Sequence, residues 1–314
     1  MPSRSRGVTA SWLFTLTLGF VVALAAVWWI FIHTHHGQLL DSVALAGNVV
    51  GQTHVHTLVT RVLDVVSVAS LAAATLLIGF IALARRRVLL ALVATLVVAG
   101  SNLTTQVLKH VVIQRPDLGV QGETAAGLNS LPSGHTTVAA SVAVAFVLVL
   151  PPALRGTAAV LGAGYSALTA VATLSAGWHR PSDAVAALLI VGGWAAGGGF
   201  CLVLAQSRFA RATTREAHPY AVSLLAVAGV ALVAGGILAA AVADPGLYAN
   251  IDALTRRRLF VAYAGSAAAI SGTACLVMAL TLATVHRVVP RMDRRPFPPR
   301  PPRSPDREWS STDA

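Results

Sequence analysis

Charge is the first thing this chain is short of: 11% of its 314 residues are Asp, Glu, Lys or Arg, against about 25% in an ordinary soluble domain. That shortage excludes a solvated polar shell around a buried core, and the mean hydropathy of +0.71 points the same way. Cysteine is nearly missing too. The chain has two, Cys201 and Cys275, each inside an apolar run, which excludes a disulfide framework and leaves them as small hydrophobes. Lysine is scarcer still, with Lys109 the sole one among 23 basic residues. What remains is apolar, 55% of the chain, gathered into runs long enough to span the roughly 30 Å of a bilayer's hydrocarbon core at 1.5 Å per residue.

Eight runs stand out, at about 11–32, 58–84, 88–110, 135–150, 157–176, 181–205, 220–243 and 259–286. The first exceeds the apolar core of a secretory signal, and Ala23 to Ala26 lead into Val27-Trp28-Trp29-Ile30, an anchor more than a cleavage site. The expected fold is therefore all-α, a polytopic transmembrane bundle. Residues 1–205 hold six spans, 206–286 two further ones, and 287–314 a disordered Pro- and Arg-rich tail able to lean on anionic lipid. A net charge of +11 invites nucleic acid as a partner, but the arginines crowd into short loops and the tail, so they report topology instead. Arg4, Arg6, Arg85 to Arg87, Arg155, Arg208, Arg211, Arg215 and the tail fall on one side, the cytoplasmic one. Arg256 to Arg258 dissent, and their place beside a span lets them snorkel. Both termini are then cytoplasmic in a multi-pass plasma-membrane protein.

Between the first two runs lies a loop with His33, His35, His36, His54 and His56 and an apolar stretch, Leu39 to Val50, suited to an interface. Its histidines lack the spacing of a ligand set, so no metal site is expected there. Arg61 and Asp64 can share one face of the second span. Ser101, Asn102, Thr104, Thr105 and Gln106 load the second half of the third span with polar groups, which must face the bundle interior or water.

Leu131-Pro132-Ser133-Gly134-His135 is a small polar knot just before the fourth span. A glycine at a helix N-terminus presents unpaired N–H groups and the positive end of a dipole, which suits a phosphate. The same residues also make an ordinary helix start, with Ser133 as N-cap and Gly134 as a turn residue. Downstream, Pro181 fits the first position of a helix, placing Asp183 in the first turn, where an acid also favours the dipole. Asp117 and Glu123 read as solvated loop acids, and His110, His218 and His286 as interfacial groups.

Lys109 to Arg115-Pro116, Pro132-Ser133-Gly134-His135, and His179 to Asp183 resemble the three ordered signatures of the type 2 phosphatidic acid phosphatase superfamily, over roughly residues 10–205. The resemblance implies hydrolysis of a phosphomonoester or diphosphate of a lipid, with no metal and no cofactor, and the arginine distribution puts that chemistry at the outer membrane face. Its partners would be the bilayer and a lipid phosphate or polyprenyl (di)phosphate. Phosphoryl transfer spreads charge over three oxygens, so fixed cations and N–H donors matter most. Lys109 and Arg115 would supply the cations, with Ser133 and Gly134 as donors. His179 would be the nucleophile, oriented by Asp183, and His135 the acid that protonates the leaving oxygen and then activates water.

Two departures qualify the match. Five residues instead of six separate Lys109 from Arg115, a difference that the loop before Pro116 can absorb. The third signature also lacks its usual Ser-Arg, which would fall on Ala172 and Thr173, so one phosphate clamp is missing. Arg180 could replace it only by turning inward, against the tendency of neighbouring side chains to diverge. The missing arginine motivates one alternative, a non-catalytic lipid-phosphate binder or transport partner; a related enzyme reading is a lipid phosphotransferase, with an alcohol in place of water as acceptor. Keeping both histidines and Asp183 disfavours the binder, since holding an anion needs no nucleophile.

Overall fold

The computed structural model describes residues 2–50, 68–84, 88–120, 129–205, 218–244 and 254–288. Nine α-helices and no strand occur among them, as the apolar runs require. In chain order they are α1 (Pro2–His33), α2 (His35–Ala46), α3 (Val68–Ala84), α4 (Val88–Val107), α5 (Gly134–Val149), α6 (Pro152–Ser175), α7 (Pro181–Ala205), α8 (Pro219–Val242) and α9 (Arg256–Val288). Six are long and apolar enough to cross a membrane, those of α1, α4, α6, α7, α8 and α9, while α3 and α5 carry shorter apolar stretches. Four of the long helices begin on proline, whose fixed φ suits the first helical turn and whose missing N–H costs nothing there.

Three boundaries differ from expectation. The stretch after α1 is not a loop: Thr34 caps α2 by accepting the Gly37 N–H at 3.0 Å, and the chain turns straight into a second helix. The connection between the fourth and fifth runs is also shorter than the 151–156 gap between them, because α6 starts at Pro152. Arg256 to Arg258 form the first turn of α9 instead of a loop. His54, His56, Arg61, Asp64, Arg85 to Arg87, Glu123, Arg208, Arg211, Arg215 and the tail from 289 lie outside the described residues.

α5 is the axis of the bundle. Ala139, Ala140, Val144, Ala145, Val147 and Val149 are wholly buried, enclosed by α4, α6, α7 and α9. At 16 residues it is about 24 Å long, shorter than the helices that enclose it. α9 belongs to the same core, with Ile270, Ala274, Val277, Met278 and Leu282 joining Val144 and Leu188 in one apolar cluster. The outer faces of α1 and α8 present Phe14, Val22, Leu224, Val227 and Ile237, an exposure that a bilayer satisfies.

Candidate functional site

The polar half of α4 does turn inward. Ser101 and Thr105 are fully buried, Thr105 shares a 2.9 Å hydrogen bond with Thr137 of α5, and Asn102 donates to Ser141 Oγ at 3.2 Å. This ladder fixes α4 against α5 and leads to a π-type turn, Leu108–Val112. Lys109 sits in that turn. Its carbonyl accepts from Asn129 Nδ2 at 2.7 Å, and Asn129 also reaches the Ile113 carbonyl. Beyond Ile113, which is extended, Arg115 lies outside the helix, as its place before Pro116 predicts. Gln38 of α2 donates to the Pro116 carbonyl at 3.0 Å, which anchors that strand of chain against α2.

The knot is tied to α7. Ser133 N–H donates to the Asp183 carbonyl at 3.0 Å, while the buried Ser133 hydroxyl caps α5, accepting from Thr136 N at 3.4 Å and Thr136 Oγ1 at 3.0 Å. Ser133 is thus the N-cap that the sequence allows. Its hydroxyl proton is not needed for that duty, and with Thr136 and Thr137 N–H held by Ser133, the N–H groups of Gly134 and His135 are those left for a ligand. In front of Gly134 there is room: a Cβ there would have one neighbour within 4 Å, Gln106 Nε2 at 3.9 Å.

His179 is placed by the end of α6. Gly177, at φ 76°, reverses the chain, and the Trp178 and Gly177 N–H groups return to the Thr173 and Leu174 carbonyls, both at 3.0 Å. This is the Schellman ending that glycine favours. Thr173 therefore supports the turn: its carbonyl also accepts the His179 N–H at 3.3 Å, and its buried hydroxyl donates to Ala170. His179 Nδ1 faces Asp183 Oδ2 at 3.2 Å, which leaves Nε2 on the side of the ring away from that carboxylate. His135 stands opposite, its ring centre 6.4 Å from that of His179 and 5.5 Å from Trp178. The Lys109 ammonium lies within electrostatic reach of it.

Arg180 departs from expectation. It is buried, turned toward the site, and its guanidinium donates to Ser130 Oγ at 3.0 Å. Burial first, then the nearby Arg180, draw the Arg115 guanidinium below the ordinary arginine range, with Asp41 and Asp183 acting the other way; an arginine so displaced still stays protonated at neutral pH. Lys109, Arg115, Ser133, Gly134, His135, His179 and Asp183 thus gather at one end of the bundle, with Arg180 added. Sequence reasoning missed Asp41 and Ser130. The signal for Asp41 was present, an acid between Leu40 and Val43 that an apolar stretch does not tolerate without a partner.

The other singled-out residues stand apart from this cluster. His33 packs its ring on Trp28 and Trp29, His36 pairs with Asp244 at 3.6 Å, and Asp117 accepts the Gly119 N–H in an exposed turn. His218 donates to or accepts from no site residue; its Nε2 meets the Pro152 carbonyl at 2.7 Å, at the opposite end.

Residues 89–212 match the family model described as PAP2 superfamily, which covers all seven of the residues named from the three signatures. No curated protein and no solved structure matches the chain.

Proposed function

We propose, on the premise that residues 89–212 are a PAP2 superfamily region, that this protein hydrolyses a phosphate monoester or diphosphate of a lipid through a phosphohistidine. His179 Nε2 attacks phosphorus, the bond to the leaving oxygen breaks, and His135 gives that oxygen its proton. His135 then takes a proton from water, whose oxygen displaces His179 and releases phosphate. Asp183 holds the Nδ1 proton and stabilises the imidazole as it becomes cationic. Lys109 and Arg115 face the charge on the equatorial oxygens, and Arg180 takes up the duty that Thr173 cannot perform. The chemistry calls for no metal and no cofactor, because side chains supply every cation.

The observation that carries this reading is the His179–Asp183 pair, 3.2 Å apart, set where α5 and α7 both direct their positive ends. Release of inorganic phosphate from a panel of lipid phosphates and polyprenyl diphosphates, by the purified protein in detergent with EDTA, tests it. Turnover undiminished by EDTA is expected. Absence of release, or loss in EDTA that zinc restores, overturns it.

The arginine distribution further supports a site open to the outer face of the plasma membrane, with both termini cytoplasmic. In a background lacking Cys201 and Cys275, single cysteines at Gly122 and Ala212 then label oppositely with an impermeant reagent on intact cells, 122 reacting and 212 protected. The reverse pattern moves the chemistry to the cytoplasm.

A further inference from the structure

Asp41 lies outside the matched region, on α2, whose 12 residues are too few to cross a bilayer. It is 1% exposed, and both its oxygens address one residue: Oδ1 accepts the Ser182 N–H at 3.1 Å and Oδ2 the Ser182 hydroxyl at 2.5 Å. Ser182 is the second residue of α7 and the neighbour of Asp183. The residue that should cap α7 is Arg180, which has no side-chain acceptor, so an orphan N–H of the first turn is satisfied by a carboxyl borrowed from another helix.

α2 is itself held from the C-terminal side. Gly47, which ends it, lies so close to the Leu259 carbonyl and the Tyr263 Cβ that no side chain fits there. The Tyr263 hydroxyl in turn shares a 2.6 Å hydrogen bond with Ser175 in the last turn of α6. α9 therefore touches both supports of His179: the α6 ending through Tyr263, and the first turn of α7 through α2.

We propose that Asp41 is a positioning residue of the hydrolytic site, carried on a helix that α9 holds in place, and that it fixes the first turn of α7 so that Asp183 meets His179. This rests on the hydrolytic reading. A purely structural cap would sit away from the reacting charges, whereas Asp41 interacts with Asp183 and with Arg115. Asp183 and Ser182 face it from α7 and Arg115 from the segment after α4. On its other side a cavity of about 180 Å³ is lined from α1, α8 and α9 by apolar residues and Ser266. Burial, and then Asp183, push its carboxyl up to about 7, against the Ser182 hydrogen bonds and Arg115. Its charge consequently changes near neutrality. Ionised, Asp41 offsets part of the Arg115 charge that an anion would meet; protonated, it leaves that charge to the anion.

The test compares Asp41→Ala, Asp41→Asn and the wild type, full length in detergent, in kcat and KM across about pH 6 to 8. Asp41→Ala should lower kcat by about 10- to 100-fold, the cost of a misaligned reacting group, and, carrying no charge at residue 41, should also lose the rise in KM toward alkaline pH. Asp41→Asn keeps an acceptor for the Ser182 N–H, so it should recover most of kcat while flattening the rise in KM toward alkaline pH. Wild-type kcat in Asp41→Ala, or an unflattened profile in Asp41→Asn, overturns the proposal; if Asp41→Ala does not fold, the Asn profile decides. If the wild type hydrolyses nothing, the hydrolytic reading fails separately. Binding of inorganic sulfate, followed by thermal shift over the same pH range, still tests Asp41: its pH dependence must flatten in Asp41→Asn, and an unchanged dependence overturns the inference.

Discussion

The two ends of the bundle use arginine in opposite ways. At one end, Arg155 donates to the carbonyls of Leu150 at 3.1 Å and Leu148 at 3.4 Å, closing the C-terminus of α5, and Arg6 donates to the Val203 carbonyl at 3.0 Å in the last turn of α7. A cation at a helix C-terminus satisfies orphan carbonyls and complements the dipole. At the other end, Arg115 and Arg180 gather beside the N-termini of the same two helices, where the dipole opposes them. Asp41 and Asp183 offset part of that charge. Under the proposed function a bound phosphate would offset the rest, which is why the proposal places the chemistry at this end and not the other.

The largest effect should come from the histidines at the site end. His179→Ala removes the proposed nucleophile and is expected to lower kcat by about 10⁴-fold or more; His135→Ala removes the proton donor, with a loss of about 10²- to 10⁴-fold. Both variants should remain folded in detergent; His135→Ala should keep the wild-type melting temperature, while His179→Ala should lower it, because it takes a partner from the buried Asp183 carboxylate. Phosphate release near the native rate from two folded variants would show that these rings do not have the assigned roles.

The arginines come next. Arg180→Ala should reduce turnover as severely as Arg115→Ala, each by about 10²- to 10³-fold, the usual cost of losing one donor to developing charge. Arg180→Lys should rescue little, since an ammonium lacks the planar fork. Thr173→Arg is not expected to raise the rate: residue 173 is wholly buried, and its hydroxyl and carbonyl already serve the α6 ending. A faster Thr173→Arg enzyme, with Arg180→Ala unimpaired, would return the missing clamp to position 173.

How much of this was legible in the chain depends on whether the determining contact is local. Apolar run length located the long helices, and Pro181 and Ser133 marked two helix starts, because each acts within one turn of itself. α2 reads as a loop in the sequence because its apolar stretch is too short for a span, and the cap that starts it, Thr34, stands directly after the first run. The inward polar face of α4 was readable, since a hydroxyl-rich stretch in an apolar helix has few other places to go. Arg180 was misjudged for a physical reason: adjacency to His179 argues for divergence, but the acceptor that draws it inward, Ser130, is 50 residues away. Asp41 is the extreme case. Its partner lies 141 residues downstream, outside any pattern of spacing.

The smallest effect on turnover, and the sharpest control on the comparison, belongs to Arg155. It is 3% exposed, yet its hydrogen bonds to Leu148 and Leu150 serve carbonyls that the end of α5 leaves without intrahelical partners. Arg155→Ala strands those acceptors in a buried place, at about 1–3 kcal/mol of stability. The expected result is a lower melting temperature in detergent with kcat and KM unchanged. Arg180→Ala should show the reverse, a large loss in kcat with a smaller change in melting. Equal losses of turnover in the two variants would mean that any buried arginine supports the site through the fold alone, and the distinction between the two ends would collapse.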